Sequence, residues 1–84
     1  MFNLYVKNKT TEELLDFNGM SLGEARQFLL DMYKRELRIT GVLGEELESQ
    51  SKQFENKIYD EMSPEEFISK VWDFSDRTIT IEED

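Results

Sequence analysis

Two serines, each followed three residues later by a glutamate, fix where two helices must begin. In Ser21-Leu22-Gly23-Glu24 and Ser63-Pro64-Glu65-Glu66 the serine oxygen can accept from the backbone N–H three residues on. The glutamate can reach back to the serine N–H. Pro64 strengthens the second box, because its missing N–H and fixed φ suit the first helical position. Behind the first box, Leu22, Ala25, Leu29 and Met32 recur at helical spacing. Phe28, Tyr33 and Leu37 widen the stripe. The spacing predicts a helix from Ser21 to about Arg38, with Lys34, Arg35 and Arg38 suiting its negative end. A second pattern runs from Leu43 to Tyr59, with Leu47, Phe54 and Ile58 on one face and Ser51 where an apolar residue is expected. Glu48 and Lys52 are spaced for an i,i+4 pair. The third helix is expected to carry Phe67, Ile68, Val71 and Trp72 and to end at Asp76-Arg77.

Strands bracket these helices. Phe2, Leu4 and Val6 alternate with Asn3, Tyr5 and Lys7, the pattern of a half-buried strand, and Asn8 to Thr11 reads as a turn. Glu12 to Met20 admits two readings. Thr10 with Glu13 could cap a short helix closed by Gly19, or Glu13–Asn18 could return as a hairpin strand with Leu15 and Phe17 towards the core. The hairpin is preferred, because a nine-residue helix beside another cap is short. Thr78 to Ile81 is a β-branched terminal strand whose natural partner is the N-terminal one. Glu82-Glu83-Asp84 reads as a frayed end. The expected fold is a single α+β domain over residues 1–84: a two- or three-stranded antiparallel sheet (N-terminal strand or hairpin plus C-terminal strand) packed against three helices.

The 84 residues contain neither cysteine nor histidine. No disulfide or thiolate site can form, and the commonest general base and zinc ligand are both missing. A serine nucleophile would lack its usual base, and Ser69-Lys70, as adjacent helix positions, would not face one another. The chain is therefore read as no enzyme, with no catalytic residue, cofactor or metal site. Gly41-Val42-Leu43-Gly44 has the form of a phosphate-approaching GXXG loop, but Glu45 and Glu46 follow it directly, so it reads as a helix-to-helix turn.

Charge is the remaining signal. Residues 1–40 hold six basic and six acidic side chains; residues 41–84 hold four basic and thirteen acidic, giving the whole net charge of −9. Such a field opposes direct contact with nucleic acid or an anionic membrane. With no signal peptide or membrane span in view, the expected location is cytoplasmic. The carboxylates of Glu45, Glu46, Glu48, Glu55, Asp60, Glu61, Glu65 and Glu66, together with Tyr59, form the candidate partner-binding set. A helix over 45–60 would spread them across roughly 20 Å at 1.5 Å per residue, a length over which duplex DNA repeats its phosphates. Against this stand solvation as the plain role of an acidic face, and helix capping as the role of Glu65 and Glu66. Trp72 reads as core and Tyr59 as available to an interface.

In size, charge and lack of catalytic residues, the chain resembles small acidic proteins of phages and mobile elements. The resemblance implies an inhibitor of the DNA-mimic, anti-restriction or anti-CRISPR class, whose partner is a basic nucleic-acid-binding protein. The alternative expectation is a homodimeric structural or regulatory subunit with mainly apolar contacts.

Overall fold

A computed structural model describes every residue, Met1–Asp84. Two hairpins enclose a helical stretch. Strands β1 (Phe2–Asn8) and β2 (Leu14–Met20) come first, then α1 (Leu22–Ile39), α2 (Gly44–Asn56) with a π-helical turn over Lys57–Glu61, and α3 (Pro64–Ser69). The chain ends with β3 (Trp72–Asp73) and β4 (Arg77–Glu83). The sheet order is β2-β1-β4-β3, antiparallel throughout. Helices cover only one face, so the molecule is a slab of one sheet and one helical layer, 17 Å along its shortest axis.

Both capping boxes form as the sequence requires. Ser21 accepts from Glu24 N–H at 3.1 Å and Glu24 accepts from Ser21 N–H at 3.1 Å; Ser63 and Glu66 repeat the arrangement at 3.3 and 3.5 Å. β1 alternates as expected, and β4 pairs with it. Phe2, Leu4 and Val6 meet Ile79 and Ile81 under the helices, where Ala25, Leu29, Leu30, Met32, Ile58, Phe67, Trp72 and Phe74 complete the core. Gly41 and Gly44 take φ of 90° and 63° in the α1–α2 turn, a region closed to most side chains.

The sheet has four strands, which corrects the expected two or three. The fourth, β3, lies where the third helix was expected to continue. α3 stops at Ser69, and Lys70 is extended at φ −102°, ψ 140°. Trp72 then pairs with Ile79 and buries its ring against Phe67, centroids 5.5 Å apart. Its indole N–H donates to the Phe67 carbonyl at 3.4 Å, satisfying a group that the helix end leaves free. Val71, expected on the apolar stripe, is 59% exposed.

Two further expectations change. Of residues 12–20, Leu14–Met20 form the hairpin strand, but Leu15 and Phe17 stay exposed. They point to the helical side, opposite Val6 and Leu4, at an edge the helices do not reach. The C-terminal acids are not frayed: Glu82 and Glu83 pair with Asn3 and Phe2, and Asp84 N–H donates to the Met1 carbonyl at 2.9 Å. β4 is thus longer than its β-branched segment, because β1 offers a partner along its whole length.

One ion pair ties the sheet to the helices. Arg35 donates two hydrogen bonds to the Asp76 carboxylate, at 3.2 and 2.9 Å. The hydrogen bond from Arg35, and then its charge, holds the Asp76 carboxyl below its usual range; Lys9 at 2.6 Å does the same for Asp73. A depressed carboxyl contributes stability above its unfolded pKa and loses it as pH falls through the folded value. Asp76→Asn should therefore lower the melting temperature at pH 7. The gap to wild type should shrink below about pH 4, where unfolded carboxyls also protonate. Parallel melts at pH 7 and pH 3 check this; a gap that widens on acidification contradicts the assignment.

Candidate protein-binding surface

α2 carries its charge because its other face is spent on packing. Leu47, Ser51, Phe54 and Ile58 turn inwards, and Phe54 stacks on Tyr33 of α1 at 4.1 Å between centroids. Ser51 is buried with its hydroxyl unpartnered. That polar atom on an apolar stripe carries a desolvation cost, so Ser51→Ala should stabilise the fold by about 1 kcal/mol. Urea melts would show it; a lower midpoint would mean that the hydroxyl has a partner.

The helix then widens into the π turn. Arg26 of α1 donates from Nε to the Ile58 carbonyl at 2.9 Å, and its guanidinium lies 5.3 Å from the Tyr59 ring centroid. These contacts keep Ile58 buried while leaving Tyr59 at the surface with Asp60 and Glu61. Tyr59 is therefore half-committed to Arg26, and only its outer face is open to a partner.

The expected site residues divide into groups. Glu45 and Glu46 are exposed in the first turn of α2, where negative charge is favoured, and Glu46 accepts from Gln50 at 3.1 Å. Glu48 and Glu55 line a groove of about 380 Å³ that Lys34 and Arg38 of α1 share. Lys52 closes on Glu55 at 3.2 Å, not on Glu48 as its spacing suggested. Asp60, Glu61 and Glu65 are exposed, whereas Glu66 is engaged as the α3 cap. The outward strip is therefore Glu45, Glu46, Glu48, Asp60, Glu61 and Glu65, with Glu55 paired to Lys52. No three acidic side chains converge closely enough to hold a metal ion.

The sequence halves do not become spatial halves, because β4 sits between β1 and β3. This arrangement creates an acidic group that sequence reading missed. On the open sheet face Tyr5 lies across from Asp16 of β2 and Thr80 of β4. Its phenol is pushed up first by partial burial, then by Glu82, Asp16 and Asp84. The alternation of β1 placed Tyr5 on this face, but nothing local announced three carboxylates around it.

Even so, the charge is not neutralised inside the fold. Of nineteen acidic side chains, only Asp73, Asp76 and Glu55 lie within 4.0 Å of a basic group. Comparison with protein-family models, curated proteins and solved structures gives no match. No helix is long and apolar enough to cross a membrane.

Proposed function

We propose that this chain is a protein-binding protein that acts without catalysis of its own, as an inhibitor of the DNA-mimic kind. Its carboxylate strip along α2, the π turn and the start of α3 covers a basic, nucleic-acid-binding surface on another protein. Anti-restriction and anti-CRISPR proteins act on targets of this type. The observation that carries the reading is the unpaired state of the strip: none of Glu45, Glu46, Glu48, Asp60, Glu61 and Glu65 has a cation within 4.0 Å. Charges left free in the folded protein are available to steer and hold a cationic partner. Spacing supports it as well, since α2 and the π turn hold the two ends of the strip roughly 20 Å apart. Lys52 and Lys57 interrupt the strip, so its mimicry of a phosphate backbone is partial and the exposed face of Tyr59 adds apolar contact. Duplex DNA should displace the chain from a partner captured on immobilised protein. A captured partner that binds the chain and duplex DNA simultaneously would sink the reading.

A further inference from the structure

β2 is the long free edge of the sheet, hydrogen-bonded on one side only. Asn8 N–H donates to the Glu13 carbonyl at 2.9 Å, which fixes the ladder's phase. Bonded and non-bonded pairs alternate in an antiparallel ladder, so the backbone groups of Leu15 and Phe17 point to β1. Those of Leu14, Asp16 and Asn18 then point outwards. Protein edges are usually blocked by lysine, proline, a bulge or a covering segment. The strand Leu-Leu-Asp-Phe-Asn-Gly-Met has no lysine or proline, and every residue from Leu14 to Gly19 is exposed; its one irregularity is the register shift at Asn18-Gly19, which leaves Leu14 to Phe17 regular. The opposite edge, β3, is only two residues long.

The side chains on this edge are apolar where a core would continue. Leu15 is 51% and Phe17 37% exposed on the helical side. Phe17 touches Phe28 of α1, ring centroids 5.2 Å apart, at the rim of the helical layer. We propose that β2 pairs with β2 of a second copy, antiparallel about a twofold axis at Phe17, so that two four-stranded sheets become one of eight strands. The strand is self-complementary in that register. The strand's one acidic residue meets a neutral one: Asp16 faces Asn18 of the other copy. A twofold axis at Asp16 would set two carboxylates directly opposite each other, which is destabilising. The axis at Phe17 brings the two Phe17 rings together as a non-bonded pair, where side chains lie closest. Phe17 and Phe28 of both copies then form one aromatic cluster continuous with the helical-side core. Asp16 and Asn18 exchange the new backbone hydrogen bonds.

This dimer opposes two charges of −9, so salt should tighten it, the reverse of its effect on a cationic partner. Sedimentation equilibrium of the whole chain at low and high salt tests the proposal independently of the inhibitor reading. The expected result is a concentration-dependent dimer, stronger in high salt. Asp16→Pro removes an outward N–H that the monomer leaves unused, and Phe17→Lys places charge at the axis. Each should weaken dimerisation by about tenfold or more while circular dichroism shows an intact fold. In the unmodified chain, the amide protons of Asp16 and Asn18 should exchange more slowly as concentration rises. A chain that stays monomeric at millimolar concentration in high salt, a dimer indifferent to both variants, or amides that exchange at one rate throughout would each overturn it.

Discussion

Phe67→Ala is expected to cost about 3–5 kcal/mol, the largest single loss in the molecule. Phe67 is the largest of the side chains that are completely buried, and it joins three elements. Its helix begins at the Ser63 box, its ring lies 5.5 Å from Trp72, and its carbonyl accepts the indole N–H. Removing the ring leaves a cavity under Trp72 and loosens the β3 edge. For a domain with a total stability of about 5–15 kcal/mol, such a loss places the folded state near its limit. Leu15→Ala is the contrast: the side chain is half-exposed at the β2 edge, so monomer stability should fall by less than about 1 kcal/mol. Paired urea titrations followed by Trp72 fluorescence separate the two. Equal losses at Phe67 and Leu15 would contradict the placement of the core.

Simultaneous reversal of Glu45, Glu46 and Glu48 to lysine is expected to weaken binding to a basic partner by about 10- to 100-fold at moderate salt. The fold should survive, because all three side chains are exposed on α2 and none is ion-paired. Loss of favourable charge at the helix N-terminus is a small effect beside that of Phe67→Ala. The control reverses Glu13, Asp31 and Glu83, which changes net charge equally but lies off the strip. Surface plasmon resonance should find the control much closer to wild type. Two variants weakened alike would mean that net charge alone acts, and that the strip has no special place.

Local chemistry made much of this fold readable. The two serine–glutamate boxes need only four consecutive residues each, and both form. Alternation marked β1, and a β-branched run marked the Thr78–Ile81 core of β4. Trp72 shows where local patterning fails. With Phe67, Ile68 and Val71 it satisfies helical spacing, yet its pairing with Ile79 decides its conformation, and that pairing is non-local. For Leu15 and Phe17 the period correctly gave the face, but depth depends on how far the helical layer extends. The acidic tail looked frayed because its composition suits solvent, while β1 supplies a full-length partner. Of the binding set, exposure on α2 followed from helical geometry and the role of Glu66 from its capping box. The approach of Lys34 and Arg38 to Glu48 and Glu55 arises only when α1 and α2 pack. The group of Asp16, Glu82 and Asp84 around Tyr5 depends on β1 lying between the two strands that carry them.

The most direct test of the whole account is the salt dependence of affinity for a partner captured from lysate, measured for wild type and for the Glu45/Glu46/Glu48 reversal. Wild-type affinity should fall steeply and linearly in log–log form as salt rises, and the reversed chain should show a much shallower slope. Identical slopes, or wild-type affinity that does not change with salt, would contradict binding through the carboxylate strip.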